Sequence, residues 1–189
     1  NMQSVFTDCP HREKLGWLEQ VHLNGPGLLY NYDLTTYIPK MIRDIADTQR
    51  ADGMVATTAP QYVIFEGPGM DVFAESPEWG STLIIVPFMY YDTYGDDSLI
   101  RQYYQNMRAY VDFGLGDWYD YGDFKAGFSR NTPVGLVASA QYYMDICYII
   151  QAAELVGNQY DVAYFTRLGK EVKDAFNKKY FNAETNQYG

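Results

Sequence analysis

Residues Trp79–Tyr94 read WGSTLIIVPFMYYDTY, and apolar side chains cover nearly every side of the helix that this stretch would form. A helix that is apolar all round is buried on all sides. Pro87 lies inside the stretch, where we expect it to bend the helix. The sequence therefore predicts a buried helix from Trp79 to Tyr94.

The next helix along the chain has a different pattern. Its apolar residues recur at helical spacing on one side only, while arginine and glutamine residues occupy the other, so a half-exposed helix is predicted. The apolar stripe consists of Ile100, Tyr103, Tyr104, Met107, Tyr110 and Val111.

The same alternation occurs twice more. Trp17–Tyr32 is mainly apolar, with an expected kink or restart at residues 25–27, and a one-sided stripe from Tyr37 to Ala46 follows it. Val134–Val156 is apolar on most faces, and the last helix has a stripe from Phe165 to Phe176. Between these pairs lies a long irregular stretch, residues 57–77, in which 61–65 is predicted to be a short strand.

Three pairs of a buried and an amphipathic helix predict an all-α protein of helical hairpins. Buried helices in an inner ring, covered by amphipathic helices outside, make an α/α toroid. A four-helix bundle does not explain why alternate helices are apolar all round. A full toroid needs about twice as many helices as the periodicity shows. We therefore expect residues 1–189 to form one partial domain, roughly the first half of a toroid.

The composition narrows the class of partner. The net charge of −10 argues against binding nucleic acid or an anionic membrane, both of which need clustered Lys and Arg. No apolar run is long enough to span a bilayer. The two histidines, His11 and His22, lie in no Cys or His cluster, so neither a zinc site nor another cofactor is predicted. The two cysteines, Cys9 and Cys147, are expected to be free thiols.

The chemistry is concentrated near the start of the chain, in residues 7–20, TDCPHREKLGWLEQ. If a helix begins near Glu13, then Glu13 and Trp17 share one of its faces, one turn apart. An indole face stacks on the C–H surface of a sugar, and a carboxyl group beside it is desolvated, which raises its pKa. Each of these residues taken alone also has a purely structural interpretation. Asp8 could be a helix cap, Trp17 a core residue, and Arg12 and Glu13 solvated charges.

The whole string, from Asp8 to Gln20, resembles the signature of family 78 of the glycoside hydrolases, the α-L-rhamnosidases. The resemblance implies an (α/α)6 catalytic domain and hydrolysis of terminal α-L-rhamnosides with inversion. It also implies that Glu13 is the general acid, while Asp8, Arg12 and Trp17 hold the sugar in the −1 subsite. Many members have an Asp three residues after the Trp, where this chain has Gln20, and the adjacent Glu19 is a candidate substitute.

Three tryptophans, Trp17, Trp79 and Trp118, lie at or near loop–helix junctions, one in each helical pair. In a toroid such junctions gather at one end, where indoles and carboxylates suit a sugar site. Alternatively, the bulky rings plug the ends of the barrel. Indoles line the sugar pocket in the resembling family, so Trp79 and Trp118 are also predicted to bind substrate.

An inverting enzyme needs a second carboxylate as general base. No residue here matches the base motif of the resembling family, so we expect the base beyond Gly189. The expected ligand is a rhamnose-containing glycoside or polysaccharide, and the isolated chain is expected to self-associate through uncovered apolar surface. Two alternatives are another α/α-toroid glycosidase, and a non-catalytic carbohydrate-binding homologue. The departure at Gln20 and the absent base favour the second of these.

Overall fold

The computed structural model describes residues 4–68, 70, 73–114 and 132–189. Over those residues the chain forms seven helices and one small terminal hairpin of two strands. In chain order the elements are α1 (Glu19–Asn31), α2 (Tyr37–Asp47), α3 (Pro77–Gly80), α4 (Thr82–Tyr94), α5 (Ser98–Phe113), α6 (Val134–Val156), α7 (Gln159–Tyr180), β1 (Phe181–Asn182) and β2 (Gln187–Tyr188).

Helix α4 is the centre of the described structure. It packs against α1, α2, α5 and α6, and its residues from Thr82 to Phe88 are all buried. This confirms the buried helix predicted from the apolar sequence, although the predicted stretch is divided at Ser81 into α3 and α4. The helix continues through Pro87.

The amphipathic helices cover the buried ones, as predicted. All six residues of the predicted stripe on α5 are buried, and α5 packs on both α4 and α6. On α2 the buried residues Ile38, Met41, Ile42 and Ile45 face α4 and α5. Helix α7 packs along α6, with Phe165 fully buried.

Two local predictions are wrong, and one element was not predicted. Helix α1 neither restarts nor ends at Pro26, and it is not buried all round: Leu23 is 56% and Tyr30 91% exposed. Among the described helices it packs mainly on α4, and less on α3, which leaves Leu23 and Tyr30 on its open side. Residues 61–65 form no strand, because their described backbone hydrogen bonds are local ones such as Tyr62 N–H to Pro60 O. The terminal β1–β2 hairpin was not predicted.

A buried polar contact fixes the beginning of α1 to α4. The Thr82 hydroxyl donates to the Leu18 carbonyl oxygen over 3.0 Å, and the Nδ1 atom of His22 lies 2.8 Å from the same hydroxyl oxygen. Burial lowers the pKa of His22 to about 4, so the imidazole stays neutral near pH 7. The stretch that precedes α1 is thereby attached to the core.

A second buried polar cluster fixes α3 to α5 and α6. The Pro77 carbonyl oxygen accepts hydrogen bonds from the Tyr110 hydroxyl (3.0 Å) and the Ser81 hydroxyl (2.5 Å), and Ser81 Oγ lies 2.6 Å from Asp145 Oδ2. A serine hydroxyl has one hydrogen, so it cannot donate to both Pro77 and Asp145. We infer that Asp145 is protonated and donates to Ser81. Burial, the largest cause, raises the pKa of Asp145 to about 8.

We expect Asp145→Asn to stabilise the protein at pH 7. Asp145 has an ordinary pKa of about 3.9 in the unfolded chain and one of about 8 in the folded protein. Between these values the folded protein holds a proton that the unfolded chain has lost, so the free energy of unfolding falls as the pH rises. The amide keeps a donor for Ser81 without this cost. Thermal unfolding should show a gain of at least about 1 kcal/mol at pH 7 that disappears near pH 4.

Asp161→Asn is the matched control, because this second buried aspartate is paired with a cation. Its Oδ2 atom accepts from Tyr104 (2.6 Å), Arg108 Nε (3.0 Å) and Asn158 (2.7 Å). Loss of the charge should lower the free energy of unfolding at pH 7 by about 1.5–3 kcal/mol. Equal destabilisation by both variants would contradict a protonated Asp145.

Candidate active site

A tight turn, rather than a helix, shapes the chemistry-bearing stretch. The backbone N–H groups of Arg12 and Lys14 both donate to the Cys9 carbonyl oxygen over 3.1 Å, and Lys14 ends the turn in the left-handed region, with φ 61°. Helix α1 begins only at Glu19. The helix that was expected to begin near Glu13 is therefore absent.

Glu13 and Trp17 nevertheless meet. The indole Nε1–H of Trp17 donates to Glu13 Oε1 over 3.1 Å, and Arg12 Nε–H donates to Glu13 Oε2 over 2.7 Å. Each carboxylate oxygen thus has its own donor. The turn brings together three of the residues that the sequence predicts for the site.

The pKa of Glu13 is shifted in the direction opposite to the one predicted. The pKa of Glu13 is lowered to about 2, chiefly by the hydrogen bond from Arg12, with a further contribution from the Trp17 N–H. The predicted increase in pKa assumed that the indole presents its apolar face to the carboxyl group. Instead it presents a hydrogen-bond donor, which favours the charged form.

Asp8 lies in the same turn and closes it. Its Oδ1 atom accepts the Cys9 backbone N–H over 2.6 Å. One oxygen of Asp8, the Cys9 sulfur and one oxygen of Glu13 all lie within 4.8 Å of one another, a spacing compatible with a bound cation. The guanidinium of Arg12 already supplies that positive charge, because it contacts Glu13 and also Cys9 Sγ at 3.3 Å.

Trp17 is held by the long loop that follows α2. Leu18 N–H donates to Thr57 O and Ala59 N–H donates to Gly16 O, each over 3.0 Å, so the two segments run side by side around Trp17. Phe65 stacks on the indole at 5.5 Å and 20°, and Phe73 meets it edge-on at 6.3 Å. The side of the indole that faces Phe65 is therefore closed to a ligand, which limits the expected role of Trp17 as an apolar wall.

Of the other two tryptophans, only Trp79 lies among the described residues. Trp79 is only 6% exposed and belongs to the hydrophobic core. This placement favours the packing role that the sequence left open for it. Trp118 lies outside the described residues.

A second acidic group, which the sequence indicated only weakly, lies at the start of α1. Glu19 is half-buried, and burial together with the charges of Glu78 and Asp8 raises its pKa to about 7. Gln20, by contrast, accepts a hydrogen bond from Asn24 one helical turn later. Glu19, rather than Gln20, therefore interacts with the acidic residues of this region. The sequence did not indicate a role in the site for Phe65, Phe73 or Glu78. It showed only that they lie in a long loop or at its end.

The fold consists of buried helices covered by amphipathic ones, and a carboxylate, a guanidinium and an indole cluster beside them. These are features of an α/α-toroid glycoside hydrolase. The chain belongs to the family described as the bacterial alpha-L-rhamnosidase 6 hairpin glycosidase domain, whose sequence model matches residues 1–189. The all-α toroid prediction is thereby confirmed. None of the helices in the described residues combines the length and apolar character needed to cross a membrane.

Individual relatives agree with this family. An alpha-L-rhamnosidase of Formosa agariphila is 27% identical over 95% of this chain, and one of Streptomyces avermitilis is 26% identical over 95%. The chain spans only about a fifth of these relatives, 21% and 17% of their lengths.

Solved structures show the same fold. The alpha-L-rhamnosidase of Dictyoglumus thermophilum has a TM-score of 0.79 at 26% identity, over 95% of this chain and 21% of that one. The Streptomyces avermitilis alpha-L-rhamnosidase complexed with L-rhamnose has a TM-score of 0.77 at 24% identity, over 95% of this chain and 17% of that one.

We expect Gly16→Ala to loosen the turn and its cluster. A Cβ atom at Gly16 would lie 2.5 Å from the Ala59 backbone oxygen, so the segment that pairs with Trp17 must move. Thermal unfolding should show a loss of about 1–3 kcal/mol, the usual cost of overpacking. In α1, Gly27 has nothing within 4 Å of a Cβ atom, so Gly27→Ala is the matched control and should be neutral or slightly stabilising. Equal effects of the two variants would contradict the close pairing.

Proposed function

We propose that this chain is part of an enzyme that hydrolyses terminal α-L-rhamnosides with inversion, and that Glu13 is its general acid. The supporting observation is the position of Glu13, whose two oxygens accept hydrogen bonds from Arg12 and Trp17 within a signature-like turn. In the reaction, the bond between the anomeric carbon and the leaving oxygen breaks, and Glu13 gives its proton to that oxygen. Water adds to the opposite face, and its proton passes to a second carboxylate.

The ligand of this site is a rhamnose-containing glycoside or polysaccharide. A relative with the same fold is described as complexed with L-rhamnose, which supports this class of ligand. Asp8 and Arg12 are the proposed partners of the sugar hydroxyls, because charged hydrogen bonds recognise such groups strongly. Trp17 offers its remaining apolar surface, and Trp118 is proposed as a further wall of the pocket.

The general base is proposed to lie in the part of the enzyme that this chain does not span. Inverting glycosidases hold their two carboxyl groups about 6.5–9.5 Å apart, with the sugar and a water molecule between them. Asp8 approaches Glu13 within 4.8 Å on the same turn, so it is too close to act from the far side of the ring. The chain covers only 21% of the first curated relative, which leaves most of such an enzyme outside it.

In the whole enzyme, Glu13→Gln should lower kcat by about 10²–10⁴, the usual contribution of a general acid. The loss should be smaller for aryl rhamnosides with very acidic leaving groups, because those leave without protonation. Steady-state kinetics on a series of aryl α-L-rhamnosides measures both effects.

Glu184→Gln is the control, because Glu184 is an exposed glutamate in the terminal hairpin and should leave kcat unchanged. An equal loss for good and poor leaving groups in Glu13→Gln would show that Glu13 is not the acid. Turnover of another glycoside, in a wider aryl glycoside screen, would favour a different α/α-toroid glycosidase. Tight sugar binding without turnover would favour a carbohydrate-binding homologue.

The 189-residue chain alone should hydrolyse nothing and should self-associate. The proposed acid lies in this chain and the proposed base outside it, and α6 is apolar over most of its 23 residues although only six of them are buried. Exposed apolar surface of this kind favours association. Turnover of an aryl α-L-rhamnoside and mass by light scattering test the two expectations. Turnover that Glu13→Gln abolishes would contradict the missing base, and a soluble monomer would contradict the uncovered face.

A further inference from the structure

The ion pair that holds Glu13 joins two side chains of very different solvent exposure. Arg12 is 73% exposed and lies on the outside of the turn, whereas Glu13 is 26% exposed. Trp17, the other donor to Glu13, is clamped by backbone pairing with the Thr58 region and by Phe65 and Phe73. Arg12 can therefore move away from Glu13 while Trp17 stays.

This arrangement conflicts with the chemistry proposed for the site. A general acid must carry a proton when it acts, but a carboxylate that accepts a 2.7 Å hydrogen bond from a guanidinium is held in its charged form. The contact with Arg12 thus favours the charged form of Glu13, which has no proton to donate. For Glu13 to act as the general acid, the hydrogen bond from Arg12 to Glu13 has to break before the reaction.

We propose that Arg12 keeps Glu13 charged in the free protein, and that a bound rhamnoside draws Arg12 onto its hydroxyl groups and so lets Glu13 take up the proton that it donates. The inference rests on the proposed function and adds a regulation of the same site. Arg12 is well suited to this exchange, because its planar group has five N–H donors and a sugar hydroxyl accepts hydrogen bonds. The proton comes from water, which reaches the partly exposed Glu13.

Once Arg12 leaves, the side-chain donors that remain on Glu13 are neutral ones, the Trp17 N–H and the Cys9 thiol. On the same turn, an oxygen of Asp8 lies within 4.8 Å, and His11 and Lys14 are exposed. Beyond the turn, the nearby acidic residues are Glu19 on α1 and Glu78 on α3. These two glutamates interact electrostatically with each other. The loop against Trp17 brings Phe65 and Phe73, which carry no charge. Without Arg12, Glu13 keeps only neutral donors, which favour its charged form less than a guanidinium does, so its pKa returns toward that of an ordinary glutamate.

The indole N–H of Trp17 reports the state of Glu13 directly, because it donates to Glu13 Oε1. In the whole enzyme, the ¹⁵N-labelled indole signal of Trp17, assigned by its loss in Trp17→Phe, can be followed by NMR against pH. In the free, unsubstituted enzyme, the Trp17 signal should show no step between pH 4 and 7. Saturating L-rhamnose should produce a step in that range, and Glu13→Gln should abolish it.

Arg12→Ala should show the step without sugar, with a midpoint near that of an ordinary glutamate, about 4.3, and L-rhamnose should not move it further. Arg12→Lys keeps a charge but lacks the Nε donor, so its step should appear at lower pH than that of Arg12→Ala. Lys14→Gln removes an adjacent cation whose side chain has no described contact with Glu13, and should behave like the unsubstituted enzyme.

The outcomes separate the two proposals. If Arg12→Ala and the unsubstituted enzyme titrate alike without sugar, Arg12 does not control Glu13 and the inference fails. If L-rhamnose changes the Trp17 titration equally with and without Arg12, the exchange is contradicted. If L-rhamnose changes no indole signal, the proposed function is contradicted, while the comparison without sugar still decides whether Arg12 controls Glu13.

Discussion

The backbone pairing of residues 16–18 with residues 57–59 is the interaction on which the candidate site depends. Both of its hydrogen bonds measure 3.0 Å and flank Trp17, which they hold at the edge of the helical core. Trp17 in turn orients one oxygen of Glu13, and the Cys9–Lys14 turn adds Arg12 to the other. The close approach of Gly16 to Ala59 leaves no room for a side chain at residue 16. The acid is thus placed by a backbone contact between two segments far apart in the sequence.

As a consequence, the pKa values of two glutamates in this region are shifted in opposite directions. Glu13 receives a guanidinium and an indole N–H, which lower its pKa to about 2. Glu19, six residues later, is half-buried among other acids, and its pKa is raised to about 7. Such divergence is typical of sites where one carboxyl group is charged and another neutral near pH 7.

The sequence predicted the features that depend on local periodicity. The apolar α4 and the stripe on α5 follow from residue spacing alone, and the structure confirms both. Glu13 and Trp17 were correctly paired, but through a helix that the chain does not form, because a turn at Cys9–Lys14 brings them together instead. The stacking of Phe65 on Trp17 and the buried contact of Ser81 with Asp145 were not predictable, since both join segments about 50 residues or more apart and no periodicity encodes them.

We propose that a rhamnoside is cleaved at the Arg12–Glu13–Trp17 cluster. A crystal structure with bound L-rhamnose tests it most directly. We expect the anomeric hydroxyl to lie within hydrogen-bond distance of Glu13. Arg12 should contact ring hydroxyls instead of Glu13, and Trp17 should keep its hydrogen bond to Glu13. A sugar bound away from this cluster, or one bound beside it with the 2.7 Å contact of Arg12 and Glu13 intact, would contradict the account.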